Sequence, residues 1–395
     1  MKAILLLALL ALVSFLGSAK VLGKSRIPGL RLFSRTGILF LLLGACIGYN
    51  ELDILDQETY LKLGPVIVIG LGWLGFTFGT NLEFRTLRKF PLRLYLATWL
   101  QALVTFAAVF ATFLYLDSEY LHLPTAEAYI AAVLLAATAA GTAPASLFML
   151  GGERLVRGTN FETLRFFATL DDFPGLLALG VLCSFSPGLH QANYTNPVFW
   201  FVFQVLLGVI FGFFLRTLKA RSLDQSAGDL MVFGVIGMSS GLCLYLHLSP
   251  LFVSAISGMV VVNISDRSEA IYQRLVRRER AFYVLFLLLS GCLWVVTPNL
   301  PALVLAYVLS RLIGKTVGTA LAVQSLPNHW PLPVTSGLGL ISQGGLAIAM
   351  VVSYRWAFGA YLVDWVVGVV LSAVVIHEMV GPWIQLKMLQ RMGDA

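Results

Sequence analysis

The sequence predicts an all-α polytopic membrane protein of about thirteen transmembrane helices, built as an inverted repeat with two broken, crossing helices. Three observations predict it. The 395 residues are 58% hydrophobic and only 12% charged, with mean hydropathy +0.85, whereas soluble domains carry charge on about a quarter of their residues. The apolar residues gather into separate runs of about 20, the length that crosses a hydrocarbon core. Two of those runs carry helix-breaking sequence at mid-depth, in positions that an inverted repeat would relate.

Taken in order, the spans fall near residues 2–19, 36–50, 63–81, 94–115, 126–150, 162–185, 197–215, 228–246, 249–264, 281–297, 301–324, 333–353 and 360–383. The first of them has a lysine, an apolar core and small residues before Lys20, as a secretory signal would. The basic excess on its C-terminal side favours a retained span instead. Of the 27 lysines and arginines, 22 fall in loops on one side of this scheme, three (Lys2, Lys62, Arg355) on the other, and two, Arg311 and Lys315, inside a span. Basic loops stay cytoplasmic, so the N-terminus is expected outside and the C-terminus inside. The formal charge of +7 thus reports topology and implies no nucleic-acid partner.

One membrane domain is expected: a first repeat over about 1–185, a linking helix over 197–215, a second repeat over 228–383 and a short cytoplasmic tail, 384–395. The expected location is a bacterial inner (plasma) membrane.

Several residues in these spans do not suit lipid. "ATLDDFPGLLALG" places Asp171 and Asp172 near the middle of the sixth span. "VLAYVLSRLIGKTVGTALA" buries Arg311 and Lys315 in the eleventh, four residues apart and therefore on one helical face. The bland reading is an ion pair that merely joins two helices. Against it, ionisable groups inside membrane spans mark ion or proton pathways. Glu378, beside His377 in the last span, reads as lying close enough to the cytoplasmic end to reach the interface.

The breaks are Gly141-Thr142-Ala143-Pro144 in the fifth span and Ser342-Gln343-Gly344-Gly345 in the twelfth. Pro144 removes a backbone donor and biases Ala143 away from helical geometry. The two spans are an odd number apart, so they cross in opposite directions. Interrupted helices free backbone groups that hydrocarbon cannot satisfy, so such breaks line a cavity, and paired breaks in inverted halves point to a central binding site.

Other motifs dissolve on inspection. "GLGWLG" (Gly70 to Gly75) matches a dinucleotide fingerprint, and "GMSSG" around Ser239 a nucleophile elbow, but both lie inside apolar helices without the required strand. Small residues for close helix packing, as at Gly75 and Gly79, explain them better. The cysteines (Cys46, Cys183, Cys243, Cys292) have no metal-ligand spacing. No cofactor and no enzymatic activity are expected.

The chain resembles the monovalent cation:proton antiporters, the sodium/proton exchangers and their relatives, over nearly its whole length. "GLGWLGFTFGTNLEFRTLRKF" is similar to their glycine-rich third span, and "ATLDDFPGLLALG" to the double-aspartate helix of their electrogenic branch. "LFVSAISGMVVVNIS", "SRLIGKTVG" and "ISQGGLAIAM" resemble a small-residue helix ending in Asn, the basic helix and the second broken helix. Two positions depart. Relatives often carry an acid before the proline of the first break, where this chain has Ala143. Their second break often reads Arg-Gly-Glu, where this chain has Gln343-Gly344-Gly345.

The resemblance implies a sodium/proton antiporter-like fold, a homodimer in the lipid bilayer, and exchange of protons for Na⁺, K⁺ or Li⁺ by alternating access. It places Asp172 at the cation and proton, and turns Asp171 toward the basic face of the eleventh span. Arg311 is the first choice of partner and Lys315, one turn on, the alternative. Burial and a nearby cation pull a carboxylate's proton affinity in opposite directions, so a partly buried aspartate can trade a proton for a metal ion. Freed backbone carbonyls and hydroxyls such as Thr142 and Ser342 would complete the oxygen coordination. Two other readings are a sodium-coupled organic-anion symporter, with Arg311 and Lys315 holding the anion, and a non-transporting sensor or partner subunit on the same scaffold.

Overall fold

Apolar runs become helices because a chain in hydrocarbon must satisfy its own N–H and C=O groups. The computed structural model describes residues 37–48, 62–143, 158–185, 196–221, 225–264, 282–326, 332–358 and 364–392, and these contain helices and no strand. In chain order the elements are α1 (Ile38–Gly48), α2 (Gly64–Thr80), the short α3 (Phe84–Leu87), α4 (Leu92–Leu116), α5 (Thr125–Ala140), α6 (Thr159–Leu170), α7 (Asp172–Cys183), α8 (Pro197–Arg221), α9 (Gln225–Tyr245) and α10 (Pro250–Ile264). They continue with α11 (Phe282–Gly291), α12 (Leu300–Gln324), a 3₁₀ helix (Val334–Leu340), α13 (Gly345–Phe358) and α14 (Asp364–Arg391).

Six described helical segments are long and apolar enough to cross a membrane, a seventh is the 3₁₀–α13 pair, bent by 61°, and five shorter apolar helices accompany them. Together they fall on twelve of the thirteen predicted spans. The span near 2–19 lies outside the described residues. Along α8, Val198, Val202, Leu206 and Ile210 are all exposed, a row at helical spacing that suits contact with acyl chains.

The chain divides into two compact units, and each sequence half contributes to both. The first unit comprises Met1–Arg88, Gly180–Trp294 and Val352–Ala360. Its centre is apolar: Trp73 stacks on Phe282 with ring centroids 4.8 Å apart, among Phe76, Leu207, Phe211 and Ile236. Here α2 and α10 touch backbone to backbone. A Cβ on Gly75 would stand 2.2 Å from the Leu251 carbonyl oxygen, one on Gly79 1.9 Å from that of Ala255, and one on Gly258 2.2 Å from that of Phe76. Only hydrogen fits at these positions, so the glycines of "GLGWLGFTFG" serve packing. Ser239 likewise spends its hydroxyl on its own helix, donating to Ile236 O at 3.0 Å.

The second unit comprises Lys89–Leu179, Val295–Val351 and Tyr361–Ala395. It holds α4, α5, α6, most of α7, α12, the 3₁₀ helix and α14. Gly314 and Gly318 let α12 lie against α4, and Gly337 lets the 3₁₀ helix lie against Lys315 O and Thr316. These contacts bring the basic face of α12 up to both breaks.

Candidate functional site

Both broken spans end a half-helix inside the second unit. Helix α5 stops at Ala140, and the 3₁₀ helix stops at Leu340. Each end leaves carbonyls without an intrahelical donor and carries the negative pole of a helix dipole. The two stretches of backbone meet where Ala143 N donates to Ser342 O at 2.9 Å, and a Cβ on Gly344 would lie 2.9 Å from the Ala143 Cβ. Gly345 begins α13 just beyond. Pro144 lies outside the described residues.

Two buried cations answer the two negative poles. Arg311 is fully buried and gives all its hydrogen bonds to backbone carbonyls. Its Nε donates to Ala139 O at 3.1 Å, Nη2 to Gly141 O at 2.7 Å and Ser342 O at 3.3 Å, and Nη1 to Ile341 O. A planar guanidinium with diverging donors suits this task, because one group can reach both half-helix ends.

Lys315, one turn on, is also fully buried. Its ammonium donates to Ala140 O at 2.5 Å, Thr142 Oγ1 at 2.9 Å and Asp171 Oδ2 at 2.7 Å. All three of its hydrogens are therefore used. This corrects the expected pairing. Arg311, the first choice, is held by carbonyls, and the ion pair with Asp171 is made by Lys315.

Asp171, wholly buried, accepts three hydrogen bonds: Thr142 N at 3.0 Å on Oδ1, and Thr142 Oγ1 at 2.6 Å and Lys315 on Oδ2. The Thr142 hydroxyl has one proton, and Leu340 O lies 3.1 Å away as its other acceptor. The Asp171 carboxylate thus ties the N-terminal end of α7 to the first break.

Asp172 differs sharply. Its residue is 7% exposed, and its carboxylate accepts no hydrogen bond from a described residue. It lies against the first break, where a Cβ on Gly141 would stand only 1.7 Å from its Oδ1. Adjacent helical residues point about 100° apart, so one aspartate is saturated while its neighbour faces another way.

Of the freed carbonyls expected to complete the coordination, those of residues 139, 140, 141, 341 and 342 each accept a hydrogen bond from Arg311, Lys315 or Ala143 N. The Thr142 hydroxyl is engaged too. The Ser342 hydroxyl alone among the expected oxygens is buried with no hydrogen-bond partner.

Gln343 anchors a neighbouring network that sequence reasoning missed. Its Nε2 donates to Thr138 O at 2.8 Å and Tyr307 Oη at 2.7 Å, and its Oε1 lies 3.0 Å from His377 Nδ1. Tyr307 Oη is also 3.0 Å from Thr138 Oγ1. Tyr307 sits four residues before Arg311 on the same face, so helical periodicity could have found it. His377 and Glu378 are buried in this region, at the middle of the 28-residue α14, and do not reach its C-terminal end, contrary to the expectation that Glu378 lies near an end of the span.

Adjacent carboxylates at the junction of α6 and α7, two cations on α12 and two facing half-helix ends are the features of a secondary transporter. The sodium/hydrogen exchanger transmembrane family matches residues 5–387, and the chain belongs to that family, whose members are transporters. The fold agrees. A structure of the sodium proton antiporter MjNhaP1 from Methanocaldococcus jannaschii at pH 8 is similar at 19% identity and TM-score 0.64, covering 98% of this chain and 100% of that one. A second structure of the same antiporter, from an electron-microscopy map, gives 16% identity and TM-score 0.61, covering 100% and 99%. No curated protein is significantly similar in sequence.

Proposed function

We propose that this protein exchanges protons for a monovalent cation (Na⁺, K⁺ or Li⁺) by alternating access, with proton and cation competing for Asp172. The observation that carries this reading is the contrast between the two aspartates. Asp171 has three donors, including Lys315, and is fixed. Asp172 is nine-tenths buried with no donor from a described residue. An isolated buried carboxylate is costly unless a proton or a cation neutralises it. The bundle crosses the apolar gate only when one or the other is bound, and that coupling is antiport.

Arg311 and Lys315 hold the half-helix ends and Asp171 in place, while Ser342 offers a free hydroxyl. The double aspartate supports an electrogenic-type exchange. Two repeats, over about 1–185 and 228–383, a homodimer, and a bacterial inner membrane with the N-terminus outside complete the proposal. Organic-anion symport is disfavoured because Lys315 has no hydrogen left to offer and Arg311 spans four carbonyls.

Proteoliposomes with an imposed pH gradient test the proposal. Adding Na⁺, Li⁺ or K⁺ alone should collapse the gradient, and Asp172→Asn should abolish that flux while leaving expression and thermal stability near wild type. Persisting flux in Asp172→Asn removes Asp172 from the site. Flux that requires an organic anion supports the symporter, and no flux with any cation a non-transporting role.

A further inference from the structure

Neither break carries an acidic residue: the first reads Gly141-Thr142-Ala143 and the second Ser342-Gln343-Gly344-Gly345. A carboxylate nonetheless stands at the second break. Glu378 Oε1 lies 3.8 Å from where a Cβ on Gly344 would be. Glu378 is 6% exposed and, like Asp172, accepts no hydrogen bond from a described residue.

The same face of α14 supports this placement. Gly381, three residues on, packs so closely on the second break that a Cβ there would stand 2.4 Å from Ser342 Oγ. That hydroxyl is buried and without a partner. An unmatched carboxylate, near Gly344, and an unmatched hydroxyl, on Ser342, therefore both lie at the second break, as Asp172 lies beside Gly141 at the first. The breaks are joined by the Ala143 N to Ser342 O bond at 2.9 Å, so both carboxylates face one crossover.

Three helices bear on the groups around Glu378. From α12 come Arg311, the charged group that acts on it electrostatically, and Tyr307, which belongs to the Gln343 network. From α14 itself comes His377, hydrogen-bonded to Gln343. From α5 comes Thr138, which does not titrate. Arg311 is committed to carbonyls of the half-helix ends, and Lys315 to Asp171. Two buried carboxylates, Asp172 and Glu378, are thus left without a bonded cation.

We infer that Glu378 is a second proton-exchanging carboxylate of the cluster, taking up a proton when the cation leaves and releasing it when the cation binds. A cation arriving at Asp172 favours ionisation of every nearby acid. When it departs, each buried carboxylate is left without a bonded cation, a cost that a proton relieves. Two protons then move one way for each monovalent cation moving the other, and each cycle transfers one net charge. This rests on Asp172 being the cation site, as proposed above.

The test is the proton-to-cation ratio. Wild-type protein in liposomes, with Na⁺ or Li⁺ as the cation, should exchange two protons per cation, read from the pH gradient that balances a given cation gradient and voltage. Glu378→Gln should still exchange, at one proton per cation, and lose its dependence on voltage. Glu378→Asp, which keeps a carboxylate, should restore voltage dependence. An unchanged ratio in Glu378→Gln, or a wild-type ratio of one, overturns the inference. Should the glutamine variant fail to fold, protons released on Na⁺ binding to purified wild-type protein decide the matter: two support the inference and one overturns it. Flux surviving Asp172→Asn would instead defeat the Asp172 reading, so the two failures are distinguishable.

Discussion

Lys315 Nζ stands 2.7 Å from Asp171 Oδ2, and both side chains are completely shielded from solvent. Arg311, one turn earlier on the same face of α12, makes no bond to either aspartate and binds four backbone carbonyls instead. The two cations have divided the labour: one holds an acid, the other holds backbone.

That division predicts the outcome of a double-mutant cycle. Lys315→Ala leaves Asp171 without its cation, at a cost of about 3–5 kcal/mol by analogy with other broken buried pairs. Asp171→Asn leaves the ammonium unmatched. The Asp171–Lys315 cycle, measured by thermal unfolding in nanodiscs, should give a coupling of at least about 0.5 kcal/mol. The Asp171–Arg311 cycle should give a clearly smaller one. Equal couplings would mean that the two cations share the acid.

Arg311→Lys should be nearly as damaging as Arg311→Ala. An ammonium is a compact point donor and cannot span carbonyls on two different half-helices. Loss of several charge-assisted hydrogen bonds, at roughly 1.5–3 kcal/mol each, should lower the unfolding temperature of both variants markedly. A stable Arg311→Lys variant would show that the fork geometry is dispensable.

Gly141→Ala should disable exchange through geometry alone. Its new methyl would meet Asp172 Oδ1 at 1.7 Å, and the carboxylate must swing aside. The cation concentration for half-maximal flux should rise by about tenfold or more, on the order of 1.4 kcal/mol in cation binding. A methyl added at Gly234 would meet nothing within 4 Å, so Gly234→Ala, a change within α9, is the control and should transport normally. Normal affinity in Gly141→Ala would place the cation away from Asp172.

Orientation can be read by labelling single cysteines on a background lacking the four native ones. Sites in "NELDILDQE" should react from outside, and sites in "AIYQRLVRRER" only from inside, as the general retention of basic loops in the cytoplasm predicts. Reaction of both from one side would overturn the expected topology.

Twelve of the thirteen spans and the positions of the breaks were legible in the order of residues alone. Apolar runs of about 20 residues have few alternatives to a membrane helix, and each break is a local matter of glycine, proline and small polar residues. Two things were settled only in three dimensions. Arg311 and Lys315 share one helical face, so spacing could not choose between them as the partner of Asp171. The choice was made by where the half-helix ends lie, because the orphan carbonyls of residues 139, 141, 341 and 342 surround the guanidinium and leave the next turn beside Asp171. The depth of Glu378 was the other. Hydropathy ends the last span near residue 383, which puts Glu378 toward the interface, but α14 runs through Pro382 to Arg391. Its amphiphilic last turns extend the helix past the apolar run, and packing against Ser342 and Gly344 then sets Glu378 at the crossover, where no count along the chain would have placed it.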